Sequence, residues 1–463
     1  MPFPTARGRQ REVVCLPDQG HTVVLGAAGS GKTTMALLRA RYLAERLQSP
    51  NEYVLLVTFN RALVTYMRAV SRELPSRLRI EVRNYHQFAR GYLGAMKRLG
   101  TRDIVDPRSR KKLFEQAVHA VRRQIPEESV WNHPVAFFVE ECSWIARLGI
   151  TDEQTYYELR RRHYPQLTQS ASAAILAVVK RYRLLRAAHG YRYDWDDIAT
   201  IVEETLAEDA SPRRYRHVVI DEGQDFSPAM IRSLVAAIPE NGSLTFFGDM
   251  AQQIYGSRIS WKDAGLRIDK PEFFSENYRN SSQIARLCLA MTQTPAFRGV
   301  ADLVLPNEPR AAGPLPALVR CQSIEREIEW AVRHARAAGP NQSVAILVRR
   351  REDERRILQV LGRVQRLHRE LDTWSSTGIS VGTIHAAKGL EFDTVILPFC
   401  SADRLPDPQH LQAFAVAEDG IAQEARLLYV GMSRARSGLI LTYTGQPTPL
   451  LPDNEGLYQH GQR

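Results

Sequence analysis

The segment Gly26-Ala27-Ala28-Gly29-Ser30-Gly31-Lys32-Thr33 constrains the fold of this chain more than any other stretch. It fits the phosphate-loop pattern G-x-x-x-x-G-K-[ST] without a mismatch. Such a loop works between a buried strand and the first turn of a helix, so it calls for an α/β sheet around itself. Val23-Val24-Leu25 supplies the strand, and Lys32 to Leu43 the helix. The glycines allow the tight turn that points backbone N–H groups at phosphates, and the helix N-terminus adds positive potential. In this arrangement Gly26 to Thr34 form the cradle, Lys32 reaches the outer phosphates and Thr33 holds Mg2+.

A second segment completes the chemistry. Asp221-Glu222-Gly223-Gln224-Asp225 follows the apolar run His217-Val218-Val219-Ile220. An acidic pair at the end of a buried strand suits a metal ligand, Asp221, beside a base that aims and deprotonates a water, Glu222. The two segments together imply binding and splitting of a nucleoside triphosphate. The leaving phosphate also needs positive charge, usually an arginine. Arg279 and Arg434 are the candidates, in Glu276-Asn277-Tyr278-Arg279 and Tyr429 to Arg436.

Length and composition set bounds. With 463 residues the chain has room for two to four domains. No apolar run approaches the roughly 20 residues of a membrane span. The N-terminal residues lack the apolar core of a secretory signal. Cys15, Cys142, Cys288, Cys321 and Cys400 are scattered, which argues against a zinc site or disulfide frame and for a reducing cytoplasm. A formal charge of +11 favours a polyanionic partner. An arginine-rich genome gives the same balance, so charge alone leaves the partner open.

Short β-branched runs recur at Val23–Leu25, Val54–Val57, Val218–Ile220, Leu244–Phe247, Val344–Val348, Val395–Leu397 and Leu439–Leu441. Continuous runs of this kind suit parallel strands covered on both faces. They fall into two sets, one around the phosphate loop to about residue 275 and one beyond it. Between about 95 and 190 the strand signal gives way to helical periodicity over Lys111–Arg123, Phe137–Leu148 and Ala171–Ala188. The expected organisation is α/β, with residues 1–94 plus 190–276 as one domain and 95–189 as its helical insertion. Residues 277–445 make a second domain, and 446–463, with Pro447, Pro449 and Pro452, are expected to fray.

Read in order, further segments resemble the superfamily 1A helicases, the UvrD/Rep/PcrA group. Gln10-Arg11-Glu12 resembles the adenine-reading motif, Thr58 to Ala62 motif Ia, Asn84 to Phe88 motif Ib, and Gly248 to Gly256 motif III. Glu276 to Arg279 resembles motif IV, Thr383 to Phe392 motif V and Tyr429 to Arg436 motif VI. The resemblance covers about residues 8 to 443. It implies two RecA-like parallel-sheet domains of the P-loop NTPase class, ATP and Mg2+ as cofactors, and single-stranded DNA or tailed duplex as partner. It also implies 3′→5′ travel, and the implied setting is cytoplasmic, with no membrane.

Residue by residue, the resemblance puts Gln10 and Tyr278 at the adenine and Gly389 and Glu391 near the ribose. Gln252 becomes the γ-phosphate sensor, and Arg279 and Arg434 become arginine fingers. Phe59, Asn60, His86, Tyr255, Arg258, Thr383 and His385 face single-stranded DNA, where flat side chains stack on bases. His385 equally suits a buried structural histidine. The chain also departs from the family. Ser257 stands where members commonly carry a tryptophan, and motif Ia reads Phe-Asn-Arg-Ala where Phe-Thr-Asn-Lys is usual. The 104 residues from Arg279 to Thr383 leave no room for the family's large 2B insertion, and no nuclease domain is expected after motif VI. Compact motors of this kind also serve partners such as nucleases in anti-phage systems, so a DNA-stimulated ATPase subunit is the alternative expectation; a non-enzymatic ATP-gated DNA-binding scaffold is disfavoured, having no need of Lys32, Asp221, Glu222, Gln252, Arg279 and Arg434.

Overall fold

The computed structural model describes residues 3–6, 8–100, 102–150, 152–161, 167–252, 260–277, 279–298, 300, 302–305, 311–338, 341–367, 375, 377–414 and 416–462. Tyr255, Ser257, Arg258 and Tyr278 therefore lie outside the described residues.

Two parallel sheets organise the chain. The first holds β1 (Gly20–Gly26), β2 (Tyr53–Thr58), β3 (Ile80–Asn84), β4 (Tyr215–Ile220), β5 (Ser243–Gly248) and β6 (Glu272–Phe274), in the order β3-β2-β4-β5-β1-β6. The second holds β7 (Ala317–Cys321), β8 (Ser343–Val348), β9 (Gln365–Arg366), β10 (Gly378–Thr383), β11 (Phe392–Leu397), β12 (Ala435–Thr444) and β13 (Gln459–Gln462), in the order β13-β7-β12-β11-β8-β10-β9. Both sheets are of the RecA-like α/β class. The central strands β5 and β8 are buried along their whole length, as helices on both faces require.

Strand order decides what meets at the site. β5 lies between β1 and β4, pairing Leu25 with Gly248 and Ile220 with Phe246. The carboxyl ends of these strands carry the phosphate loop, Asp249 and Asp221, so all three converge on one edge of the sheet. Ligands of open parallel sheets bind at that edge.

Residues between β3 and β4 include four helices, Pro107–Arg122, Val135–Leu148, Glu153–Arg161 and Gln169–Ala188, that share an apolar cluster of their own. Phe114 stacks on Tyr182 at 3.9 Å between ring centroids. A parallel bridge between Ile104 and Tyr193 closes the base of this unit. Acids just after it tie it down: Arg110 pairs with Asp194 at 2.7 Å and with Asp196 at 2.8 Å, and Arg186 pairs with Asp197.

Sequence and structure differ at the C-terminus. The prolines after Gln446 suggested a fraying tail, yet Thr448, Leu450 and Tyr458 are buried and β13 adds an edge strand beside β7. Two apolar anchors outweigh the three prolines here. β3, β6, β7, β9 and β10 also escaped the periodicity reading, being short or interleaved with Glu, Arg, Ser and Gly. No helix among the described residues is long and apolar enough to cross a membrane.

Candidate nucleotide cleft and nucleic-acid groove

The phosphate loop has the backbone its sequence demands. Gly29 and Gly31 take φ of +83° and +82°, the left-handed region where a side chain is strained. Gly29 has a second reason to be glycine: an added Cβ would collide with the side chain of Asn277, which lies across the loop. Gln10 donates from Nε2 to the Ser30 carbonyl at 3.1 Å, so the N-terminal helix rests on the loop. Lys32 Nζ donates to the Gly26 and Ala27 carbonyls at 2.9 and 2.8 Å and pairs with Asp249 Oδ2 at 3.2 Å.

Asp221 is fully buried, and neither of its carboxylate oxygens makes a hydrogen bond of ordinary geometry. Burial and the adjacent Glu222 charge push its carboxyl up to about 7, with the Thr33 hydroxyl and Lys32 pulling the other way. A buried carboxylate without a well-formed hydrogen bond normally has a reason, and a divalent cation held by Asp221 and Thr33 would provide one. The donor set fits Mg2+, a hard cation that takes one or two carboxylates and phosphate oxygens.

Glu222 sits at φ +53°, ψ +41°, and Gln224 Nε2 donates to its Oε2 at 2.5 Å. Burial pushes the Glu222 carboxyl up, but Arg434, Lys388 and Lys32 together outweigh it and hold it below the usual range.

The second domain closes the cleft. Arg434 is 1% exposed, donates from NH2 to Gln252 Oε1 at 2.6 Å, and leaves NH1 buried without a hydrogen bond. Gln252 Nε2 in turn donates to Asp249 Oδ2 at 2.8 Å. A chain of polar contacts therefore runs Lys32–Asp249–Gln252–Arg434, from the phosphate loop into the opposite domain. Arg279 pairs with Glu391 Oε1 at 2.5 Å and Arg436 with Glu391 Oε2 at 3.2 Å, so two predicted site residues hold each other. The turn before Glu391 packs closely on the first domain: Gly389 has φ of +79°, and a Cβ there would meet Leu63 Cδ2 at 2.5 Å. Thr33, Thr34, Gly389 and Glu391 line one interdomain cleft together with Tyr66 and Arg436.

A second, wider and more open cavity also runs between the domains. One wall comes from the ends of β2 and β3, with Phe59, Asn60 and His86. The other follows β8 and β10, with Arg349, Arg350, Arg351, Thr383 and His385. Five of the residues expected to face DNA thus share this groove. Asn60 also bridges the domains, since its Nδ2 donates to the Ala386 and Lys388 carbonyls at 3.0 and 2.9 Å. His385 is partly exposed, and burial with the surrounding Arg349 and Lys388 charges pushes it down to about 3.

Sequence reasoning missed two groove residues. Trp195 lies 4.9 Å from His86 between ring centroids, and Phe59 lies 5.8 Å from His86. These three partly exposed rings form one aromatic set. The sequence signal was a tryptophan within Asp194-Trp195-Asp196-Asp197, whose acids fix the chain for it. Lys388 is the other, buried between the groove and the nucleotide cleft, with its Nζ 2.6 Å from Asp225 Oδ1.

Two parallel-sheet domains, a phosphate loop on one and an arginine entering from the other, define a two-domain P-loop NTPase. The chain belongs to the UvrD/REP helicase family. The family's helicase N-terminal domain matches residues 7–269 and the UvrD-like helicase C-terminal domain matches residues 364–446. DNA helicase IV of Escherichia coli strain K12 is 25% identical over 462 residues, a match spanning 89% of this chain and 65% of that protein. A probable DNA helicase of Mycoplasma pneumoniae is 21% identical, covering 92% of this chain and 80% of its own length. The ATP-dependent DNA helicase UvrD2 of Mycobacterium tuberculosis strain H37Rv is 23% identical, covering 95% and 79%. The chain thus spans just under two thirds of helicase IV.

Proposed function

We propose that this chain is an ATP-driven motor that moves 3′→5′ along single-stranded DNA, hydrolysing ATP in the interdomain cleft. The observation that carries this reading is the polar chain Lys32–Asp249–Gln252–Arg434, which joins the two domains immediately behind the groove. Lys32 and the loop amides bind the phosphates, while Gln10 and Glu391 flank the nucleoside. Asp221 and Thr33 would hold Mg2+, which would neutralise charge on the transferring phosphoryl group. Glu222 takes the proton of the attacking water. Arg434, with Arg279 beside it, meets the charge that develops on the γ-phosphate, and Gln252 senses that phosphate. Phe59, His86 and Trp195 stack on bases, and Asn60, Thr383, His385 and the exposed Arg351 and Arg355 line the strand's path.

Tyr255, Arg258 and Tyr278 complete this reading by sequence alone. A second reading rests on the short span from Arg279 to Thr383. A motor without the large 2B insertion steps well but separates long duplex poorly, and so serves a partner such as a nuclease. Unwinding of 3′-tailed and 5′-tailed duplexes by the purified chain tests both. The expected result is limited unwinding that needs a 3′ tail. Unwinding from 5′ tails alone contradicts the polarity, and processive unwinding of long duplex contradicts the second reading.

A further inference from the structure

We infer that Lys388 is a positioning residue that ties the state of the DNA groove to the hydrolytic base Glu222, an inference that rests on the motor function proposed above. Its ammonium lies 2.6 Å from Asp225 Oδ1 and donates to the Gln252 carbonyl, also at 2.6 Å. Lys388 is 4% exposed and Asp225 7%, so this ion pair is out of water, where removing one partner leaves an uncompensated charge. Surface pairs carry no such penalty.

The pair stands where the two sites share a wall. On the groove side, Lys388 ends the turn that begins with Thr383 and His385, and Asn60 grips that turn through the Ala386 and Lys388 carbonyls. On the cleft side, Asp225 closes the short 3-10 turn Gly223–Asp225 that starts directly after Glu222. Gln224, between them, donates to Glu222 and accepts the Asp249 N–H at 2.9 Å. Glu222 holds a left-handed backbone that few non-glycine residues adopt, so its aim depends on what anchors the turn. A strand entering the groove bears on the Thr383–Lys388 turn. The ammonium transmits that movement to Asp225 and to the Gln252 carbonyl, and hence to the base and the γ-phosphate sensor together.

The test is steady-state ATPase with and without saturating oligo(dT), on wild type, Lys388→Met, Lys388→Arg, Asp225→Asn and the Met/Asn double variant. Lys388→Met is expected to lose roughly tenfold or more of the DNA-stimulated kcat, the size of coupling across a buried pair. The KM for ATP and the Kd for oligo(dT) should stay within about threefold of wild type, since the contacts made are to protein. Lys388→Arg should recover part of the loss, and the double variant should be no worse than either single. Wild-type stimulation in Lys388→Met overturns the inference, and so does full recovery at higher oligo(dT), which would make Lys388 a DNA contact. If Lys388→Met fails to fold by circular dichroism, the near-isosteric Asp225→Asn decides by the same criteria. A wild-type protein whose ATPase ignores DNA would instead remove the proposed function itself, a result distinguishable from failure of the lysine variants alone.

Discussion

Asp221 shows how a single residue trades stability for chemistry. Burial and the neighbouring Glu222 charge disfavour the charged form, and together they lift this carboxyl to about 7. Asp221→Asn should therefore abolish hydrolysis yet stabilise the metal-free protein by about 1–3 kcal/mol, because a neutral amide costs less to bury than a carboxylate. The sign of the pH dependence follows. A carboxyl raised from 3.8 to about 7 on folding favours the folded state below pH 3.8, and that contribution is lost as pH rises through 7. The Asn variant's gain should thus be larger at pH 8 than at pH 5, measured as Tm in chelator; equal gains would contradict the burial argument. Glu222→Gln should keep nucleotide binding and lose about 10²–10⁴-fold in kcat, the range of general-base catalysis. His385 shifts the other way. Depressed from 6.5 to about 3, it favours the fold above pH 6.5, and that stability is lost as pH falls through 3. His385→Gln should flatten that acid-side loss and leave the salt slope of DNA binding unchanged, because a neutral ring releases no counterions.

Elements reveal how far the sequence could be read. The phosphate loop and the acidic segment after β4 were legible because each carries its chemistry within a few adjacent residues. Lys388 was not, although it stands inside a recognised motif, because its partner Asp225 lies 163 residues away. Trp195 was missed for a similar reason: its ring partners come from the far side of the insertion. β10 reads as Gly-Ile-Ser-Val-Gly-Thr, too sparse in apolar residues to stand out, yet it delivers Thr383 and His385 to the groove. The turn that follows β10 is shared between both sites, and Gly389 holds it against Leu63. Gly389→Ala adds a strained backbone, about 1–2 kcal/mol, and a wedge in the domain boundary. Leu63→Ala in the same chain removes the wedge but not the strain. ATPase activity should therefore fall in Gly389→Ala and recover in the double variant, while urea stability recovers less. Recovery of neither would mean that this close approach does not govern closure.

The whole molecule distributes its charge unevenly. Residues 95–189 hold 17 Lys+Arg against 10 Asp+Glu, more than half of the net +11. Composition suggested a polyanionic partner without locating the surface. The structure adds a groove whose aromatic wall belongs to the first domain and whose arginine-rich wall belongs to the second. DNA affinity should fall steeply with salt, in proportion to the phosphates contacted, and Trp195→Ala should weaken binding by about 1–3 kcal/mol at an unchanged salt slope. A flattened slope with little loss of affinity would take Trp195 out of the stacking set.

The central claim is that hydrolysis needs an arginine delivered across the cleft when DNA draws the two domains together. The most direct measurement is kcat for ATP with and without single-stranded DNA, on wild type and Arg434→Ala, alongside DNA affinity. The expected result is strong stimulation by DNA in the wild type and a loss of about 10³-fold or more in the variant, the scale of an arginine finger, with DNA affinity little changed. ATPase indifferent to DNA, or an Arg434→Ala protein that keeps its rate, would contradict it.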